Sequence, residues 1–208
     1  MTVRDNIYKN YQQWWEALMT LKWWLLREFI EFIEHTNFEK KSVLDIGCGT
    51  GSYLVYLKTF DFKVAGRDSS PTAVEMAKDA IGNERDIICT DMYATEIQPD
   101  SFDLIMSIRT IHHWWKDKVK KIIEKIYEAL LPKGKIFITL PDYENRGNRE
   151  EIGREVAPGT FVQDSWPEAW LPHSFFTPEE IKKLFSKFKS ITYTLDDDKV
   201  QWAIAWEK

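Results

Sequence analysis

The most constraining feature of the sequence is residues 43–51, which read VLDIGCGTG. The first part is an apolar stretch with branched side chains, as in strands of a parallel sheet covered on both faces. It contains one acid, Asp45, and runs directly into Gly47, Gly49 and Gly51. Glycine allows the backbone to adopt angles that side chains disfavour and to approach a ligand closely. The segment therefore predicts a buried strand followed by a ligand-binding turn.

Downstream of this turn, strand and helix patterns alternate along the chain. Apolar runs predict strands over residues 62–66 (closing at Asp68), 86–90, 102–108 and 135–140, and apolar spacing and caps predict helices over residues 53–59, 70–82 and 118–131. Residues 132–134, Pro-Lys-Gly, predict a turn before the last of these strands. Such alternation is typical of right-handed crossovers between parallel strands. We expect an α/β fold with a doubly wound, mostly parallel sheet.

The two ends of the chain follow other patterns. Residues 1–38 contain no Gly or Pro and carry apolar residues at three- and four-residue steps, which predicts a helical cap of two helices or one bent helix. Residues 141–177 are too long for an ordinary connection and are expected to form a lid or substrate insertion. The capping box at Thr177 predicts a helix to about residue 187. Residues 190–195 and 200–206 then predict an antiparallel hairpin at the sheet edge.

Length and composition favour one soluble domain. At 208 residues the chain is expected to fold as a single domain, with a cap (1–38), a core (39–140), an insertion (141–177) and a final helix and hairpin (178–208). The net charge of −5 disfavours a large nucleic-acid footprint. Neither Cys48 nor Cys89 has a spacing that suits zinc or a disulfide, so no metal is predicted. The start of the sequence lacks an apolar signal region and no run is long enough to span a membrane, so we expect a cytoplasmic protein without a membrane partner.

Three acids end three successive predicted strands: Asp45, Asp68 and Asp91. In open α/β sheets, ligands bind at this carboxyl edge. A carboxylate can accept two hydrogen bonds at once from a vicinal diol, and it can also accept from an exocyclic amine. The alternative is that each acid serves only a turn or a helix cap. Three acids in register behind a glycine turn favour a ligand that contains adenosine.

These motifs resemble those of the class I S-adenosylmethionine-dependent methyltransferases. Residues 43–51 resemble the first motif of that family, and residues 130–135, LLPKGK, are similar to its turn before the fifth strand, with Lys133 where Gly is more usual. The resemblance implies a Rossmann-like methyltransferase fold of seven strands, the last one antiparallel. It also implies S-adenosylmethionine as the cofactor and methyl transfer as the reaction.

By the same resemblance, Asp68 takes the ribose hydroxyls and Asp91 contacts the adenine amine. The cofactor site is expected to comprise Asp45, Gly47, Cys48, Gly49, Gly51, Asp68, Ser69, Asp91, Met92 and Ser107. The main rival is the dinucleotide fold, whose Gly-x-Gly-x-x-Gly motif places a diphosphate on a helix N-terminus. Here the sixth position is Ser52, and an acid at the end of the first strand would repel a diphosphate. The methyl donor carries no phosphate and has a cationic amino group, so the acid favours it.

The acceptor side is less defined. Methyl transfer from a sulfonium is an in-line displacement that needs alignment and desolvation, and it needs a base only if the accepting atom carries a tightly held proton. His112 or His113 is the candidate proton acceptor, and the alternative for both is packing at a helix entry. The expected substrate-binding residues are Tyr11, Trp14, Trp15, Arg109, His112, Tyr143 and Arg146. By the resemblance, the N-terminal helices and the insertion cover the cofactor as two walls of the site. The further candidates in these walls are Tyr8 in the first and Arg149, Trp166, Trp170 and His173 in the second.

The sequence thus predicts a methyltransferase that acts on a small molecule at O, N, S or C, as a monomer or homodimer. One alternative is a regulatory module that binds S-adenosylmethionine without transfer. Another is a methyltransferase acting on RNA or protein, since residues 116–125 carry a stripe of lysines. Glu124 and Glu128 dilute this stripe, and helices ordinarily present such charges to solvent.

Overall fold

A computed structural model describes residues 25–82, 86–146, 152–164, 170–196 and 201–208. Most of the predicted helical cap lies outside these ranges. Among the predicted acceptor-site residues, those outside the described residues are Tyr8, Tyr11, Trp14, Trp15, Arg149 and Trp166.

Strands and helices alternate through the described chain as the sequence predicts. The helices are α1 (Arg27–His35), α2 (Ser52–Lys58), α3 (Pro71–Ile81), α4 (Lys116–Ala129) and α5 (Pro178–Leu184). The strands are β1 (Ser42–Ile46), β2 (Lys63–Asp68), β3 (Ile87–Cys89), β4 (Phe102–Ser107), β5 (Leu130–Pro141), β6 (Arg154–Ala157), β7 (Thr160–Val162), β8 (Pro172–Ser174), β9 (Lys189–Leu195) and β10 (Gln201–Glu207). None of the described helices is both long enough and apolar enough to cross a membrane.

The main sheet has seven strands in the order β3-β2-β1-β4-β5-β10-β9. Strands β1 to β5 pair in parallel, and β10 runs antiparallel to both β5 and β9. The prediction of a mostly parallel seven-stranded sheet with an antiparallel last strand is confirmed. The order reverses beside β1, which places the glycine turn at a topological switch point where such sheets bind ligands.

The core has two layers, one on each face of this sheet, because successive side chains of a strand point to opposite faces. In β1, Val43 packs into one layer, whereas Leu44 and Ile46 pack into the other. In β5, Phe137 and Ile138 divide in the same way. Helices α1, α2 and α3 cover the first face, and α4 and α5 cover the second. With both faces covered, the polar ends of the strands are the part of the sheet left to meet a ligand.

Several predicted boundaries shift by a few residues. Helix α4 begins at Lys116 and ends at Ala129 rather than spanning 118–131, because Leu130 already pairs with Phe102 as part of β5. The predicted Pro-Lys-Gly turn therefore lies within β5, and Lys133 bends the strand there with a left-handed φ of 65°. The helix after the capping box ends at Leu184, earlier than predicted.

The segment predicted to be a lid or insertion contains regular structure. Strands β6, β7 and β8 form a second, antiparallel sheet of three short strands. This sheet is tied to the segment after β4: the backbone N–H of Ser174 donates to the His112 carbonyl at 2.9 Å, and the Ser174 hydroxyl donates to the Trp114 carbonyl at 2.6 Å. The insertion is thereby held beside the carboxyl edge of the main sheet.

Candidate active site

The glycine turn after β1 depends on backbone angles that other residues rarely adopt. Gly47, Gly49 and Gly51 have φ values of 81°, 51° and 82°. A side chain at Gly47 would also clash, since its Cβ would lie 2.0 Å from a Thr110 methyl group. The N–H groups of Gly47 and Cys48 both donate to the Arg67 carbonyl, at 2.7 and 3.1 Å. These bonds fasten the turn to the end of β2.

Asp68, at the end of β2, is fixed by two backbone hydrogen bonds. Its Oδ2 accepts from the Gly49 N–H at 2.8 Å, and its Oδ1 accepts from the Ser70 N–H at 2.9 Å. The side chain is only partly buried. Each carboxylate oxygen has a second lone-pair direction, so both can still accept a bond from a ligand. Asp68 thus serves the turn and also offers a preorganised pair of acceptors at the sheet edge.

Asp45 lies deeper at the same edge and is only 3% exposed. Burial, and secondly the charge of Asp68, raise the pKa of the Asp45 carboxyl to about 8. Asp45 therefore holds a proton at neutral pH. A cationic group placed beside it would favour the charged form and lower this pKa.

Asp91 follows β3, the next strand of the sheet. Its Oδ1 accepts hydrogen bonds from the N–H groups of Tyr93 at 2.7 Å and Ala94 at 3.3 Å. Asp91 therefore stabilises the local turn, which was the alternative role for these acids. The Thr90 N–H donates to the Asp68 carbonyl at 2.8 Å, so the two strand ends are joined. Asp91 is exposed, and its carboxylate remains open to a ligand.

The remaining predicted cofactor residues divide into two groups. Ser69 is exposed and Met92 is half-buried at the sheet edge. The Cys48 side chain instead packs behind the turn against Gly66, where an added Cβ would come within 2.8 Å of the sulfur, and burial raises the pKa of this thiol. Ser107 is fully buried, and its hydroxyl donates to the Ile46 carbonyl at 2.7 Å. The side chains of Cys48 and Ser107 support the turn from behind.

The segment after β4 lies against the glycine turn. Arg109 has a left-handed φ of 55°, uncommon for a residue other than glycine, and its N–H donates to the Thr139 hydroxyl at 2.7 Å. The next residue, Thr110, is the one that contacts Gly47. Backbone strain of this kind concentrates at functional sites. The left-handed conformation of Arg109 directs the following residues across the edge of the sheet.

Three of the four histidines meet at this edge. The rings of His112 and His113 lie 4.1 Å apart, and the His173 ring, from β8, lies 5.9 and 4.8 Å from them. His112 is 5% exposed. Burial first, and then the neighbouring His113, His173 and Arg109, hold its pKa well below the usual value for histidine. His112 is therefore neutral at physiological pH and can accept a proton or bind a metal ion.

The other described acceptor-site candidates lie in the insertion. The Arg146 guanidinium lies 3.9 Å from the centre of the Tyr143 ring and also bonds the Tyr143 carbonyl. This stacking uses the cation–π attraction within the protein. Trp170 is 71% exposed, so its ring is available to solvent. The structure thus brings His173 to His112 and His113, and it packs Arg146 on Tyr143.

Three residues that shape this site were not predicted from the sequence. Thr110 shields the glycine turn, Thr139 fixes Arg109, and Ser174 joins the insertion to the segment after β4. Small hydroxyl residues give no distinctive sequence signal. Their roles depend on contacts between positions far apart in the chain, such as the 60 residues between Ser174 and Trp114.

The central part of the chain is similar to a known family of domains. Residues 43–134 match the family model described as a methyltransferase domain. The match begins in β1 and ends in β5, so it contains the glycine turn and all three acids. This match and the strand order support a class I S-adenosylmethionine-dependent methyltransferase domain in this part of the chain. The cofactor of this class is S-adenosylmethionine.

Curated relatives with different acceptors resemble the chain. It is 28% identical over 147 residues to the probable tRNA methyltransferase 9B of Mus musculus, covering 70% of this chain and 31% of the relative. It is 27% identical over 175 residues to the tRNA N(3)-cytidine methyltransferase METTL6 of Homo sapiens, covering 78% and 60%. It is also 32% identical over 104 residues to a ubiquinone biosynthesis O-methyltransferase of Chelativorans sp. (strain BNC1), covering 49% and 40%. These relatives do not support the prediction that nucleic acid is an unlikely partner.

Solved structures share the fold over most of the chain. A Pyrococcus horikoshii OT3 protein, PH0226, superposes with a TM-score of 0.70 at 17% identity, covering 95% of this chain and 92% of its own. An S-adenosylmethionine-dependent methyltransferase from Mesorhizobium loti superposes with a TM-score of 0.68 at 14% identity, covering 87% and 97%. At these identities the likeness supports the fold alone.

Proposed function

We propose that this protein transfers the methyl group of S-adenosylmethionine to a small-molecule acceptor. The observation that carries the proposal is the Asp68 carboxylate, which the N–H groups of Gly49 and Ser70 fix at the edge where three adjacent strands end. Its remaining lone pairs suit the two hydroxyls of a ribose. The match of residues 43–134 to a methyltransferase domain supports this role.

The charges around the turn favour this donor over a dinucleotide. A diphosphate brought to the turn would meet the Asp68 carboxylate, and a second negative charge near Asp45 would raise the pKa of that carboxyl further, as the charge of Asp68 already does. The cationic amino group of S-adenosylmethionine instead draws Asp45 into its charged form. Asp91, at the end of the adjacent strand, is the acceptor proposed for the adenine amine.

The charge distribution supports a small acceptor. Of the lysines near α4, Lys116 pairs with Glu180 at 2.7 Å, and Lys125 donates to the carbonyl of Tyr93 at 2.7 Å. Both ammonium groups therefore interact with groups of the protein itself. With a net charge of −5 for the whole chain, we interpret the remaining exposed lysines of α4 as a solvated helix face, which favours a small acceptor.

RNA is the second candidate acceptor, because the curated relatives include proteins named as tRNA methyltransferases. Binding to RNA phosphates releases counterions, so it weakens steeply as salt rises. A small-molecule enzyme has no such requirement. Salt dependence and the fraction that receives the label therefore separate the two candidates.

The experiment uses S-adenosylmethionine labelled on its methyl group. The purified protein is incubated with three fractions of a cell extract: molecules below the size of small peptides, total RNA, and protein. We expect label in the small-molecule fraction, and much less of it with the Asp68→Ala variant at the same, non-saturating donor concentration. Label confined to RNA would favour the second candidate, and label in no fraction, with the donor bound, would reject methyl transfer.

A further inference from the structure

The three histidines at the sheet edge have the arrangement of metal ligands. One ring nitrogen from each of His112, His113 and His173 lies within 4.8 Å of the others. Among the described residues, this is the group of histidine, cysteine and acidic side chains that comes close enough to share an ion. Imidazole nitrogens suit zinc and other divalent transition metals.

The tautomer of His173 leaves a lone pair for a metal. Its Nδ1 lies 3.0 Å from the Leu171 carbonyl oxygen, which can only accept a hydrogen bond, so Nδ1 carries the proton. With the proton on Nδ1, Nε2 is the ring nitrogen that can serve as a metal ligand. A hydrogen bond from the second ring nitrogen to a backbone carbonyl is the usual support of a metal-binding histidine, because it fixes the tautomer and the ring orientation.

His112 supplies a second observation. Its Nδ1 is buried and has no hydrogen-bond partner among the described residues. Because His112 is only 5% exposed, solvent does not readily supply that partner. A buried polar atom without a partner is costly in free energy. A metal ion bound at this nitrogen would remove that cost. His113, which is half-buried, gives the group access from solvent.

From this geometry we propose that His112, His113 and His173 bind a divalent transition metal, zinc by preference, with a fourth coordination position open. Three rings around one tetrahedral zinc have centroids about 5 Å apart, given zinc–nitrogen distances of about 2.1 Å. The three observed separations, 4.1, 4.8 and 5.9 Å, bracket this value. Bound nitrogens lie about 3.4 Å apart, so the rings must rotate slightly, and the torsion next to the ring is soft.

The site would also join two parts of the protein. His112 and His113 belong to the segment after β4, whereas His173 lies on β8 of the inserted sheet, beside Ser174 and its bonds to that segment. A metal held by both would clamp the insertion onto the edge where the cofactor site lies. No metal was predicted from the sequence, because the cysteine spacing does not suit one and His173 is far from the other two histidines along the chain.

Three histidines with an open position are typical of catalytic rather than structural zinc. A hydroxyl or thiol bound there would release its proton to solvent more readily. Its oxygen or sulfur would then form the bond to the methyl carbon as the carbon–sulfur bond of the donor breaks and S-adenosylhomocysteine leaves. This consequence rests on the proposed methyl transfer, whereas metal binding itself does not.

The test measures metal binding by the full chain. The protein is stripped with a chelator, exposed to zinc chloride, dialysed, and analysed for zinc per chain by elemental mass spectrometry. We expect about one zinc per chain, and affinity at least tenfold weaker in His173→Ala and His173→Gln. His35→Ala is the matched control, because His35 is exposed on α1 and bonds the Glu31 carbonyl, away from the group. It should bind zinc as the wild type does.

Two results would overturn the proposal. One is a wild-type protein that retains no more zinc than the His173 variants, and the other is an equal loss in His35→Ala. Cobalt(II) gives a readout independent of any variant, since a four-coordinate site absorbs intensely in the visible range and a six-coordinate site absorbs weakly. A weak spectrum would likewise contradict the site. S-adenosylhomocysteine binding, measured on the same samples, separates this failure from failure of the proposed function.

Discussion

At the scale of single residues, Asp45 has the property most easily tested. Its pKa of about 8 means that the carboxyl is protonated at pH 7. A donor amino group placed beside it should lower that pKa, so binding should release up to about one proton. Calorimetry at pH 7 in two buffers of different ionisation enthalpy measures this release, and donor affinity should rise between pH 6 and 8. Asp45→Asn should abolish the release, and heats that do not depend on the buffer would contradict this role.

The same carboxyl links stability to pH. The folded protein binds a proton at Asp45 up to pH of about 8, whereas the unfolded chain loses it near pH 4. The free energy of unfolding should therefore fall as pH rises across this interval. Urea unfolding at several pH values should show a shallower fall for Asp45→Asn. An equal fall in both proteins would show that Asp45 does not titrate as described.

Asp68 is the residue on which donor affinity should depend most. Asp68→Ala removes the acceptors for the ribose and the bonds to Gly49 and Ser70. We expect weaker S-adenosylhomocysteine binding by about 1.5 to 3 kcal/mol, the scale of a hydrogen bond to a charged group left unmade. Asp91→Ala is the comparison within the same edge. An unchanged affinity for Asp68→Ala would reject the assignment.

Sequence reasoning works unevenly at this scale. The glycines and Asp68 carry their signal locally, because a turn with left-handed angles and a strand-terminal acid are visible in a few adjacent letters. His173 carries no such signal. It reaches His112 and His113 only through the pairing of β7 with β8 and the bonds of Ser174. The predicted roles of the cofactor and substrate residues remain proposals.

At the scale of elements, helix α5 begins with a complete capping box. The Thr177 hydroxyl accepts from the Glu180 N–H at 3.3 Å, and the Glu180 carboxylate accepts from the Thr177 N–H at 3.0 Å. Thr177→Ala should lower the free energy of unfolding by about 1 kcal/mol, because an N–H at the helix start loses its partner. Chemical denaturation measures this change. Thr177→Ser is the control, and equal losses in both variants would contradict the capping role.

Strand β5 contains a second testable position. Lys133 has a φ of 65°, which costs a residue with a side chain about 1 kcal/mol relative to glycine. Lys133→Gly should therefore raise the free energy of unfolding by up to about 1 kcal/mol. Lys133→Ala is the control, since it removes the same charge but keeps the unfavourable angle. A loss of stability in Lys133→Gly would contradict this account of the bend.

The elements also show where prediction from sequence stops. Helix α3 was predicted to lie between Ser70 and Gly82, and these residues are its caps, because capping chemistry is local. The strands β6, β7 and β8 were not predicted, since each has only three or four residues. Strands this short gain stability from their partners and from docking rather than from their own pattern.

For the whole molecule, the alternation of strands and helices predicted a doubly wound, mostly parallel sheet, whereas the seven strands and the antiparallel last strand were predicted from the family resemblance. Crossovers of one hand limit the possible topologies, and two covered faces require the apolar strands seen in β1 and β4. The methyl acceptor could not be predicted in the same way, because the shape of a pocket at this site would depend on how the insertion meets the sheet edge. That contact involves residues far apart in sequence.

We propose that the acids at this edge bind the nucleoside of a sulfonium donor that carries no phosphate. Titration calorimetry of the intact protein with S-adenosylhomocysteine and, separately, with a nicotinamide dinucleotide tests it most directly. We predict saturable binding of about one S-adenosylhomocysteine per chain and none of the dinucleotide. Absence of S-adenosylhomocysteine binding at concentrations on the order of hundreds of micromolar, or binding of the dinucleotide in its place, would contradict the claim.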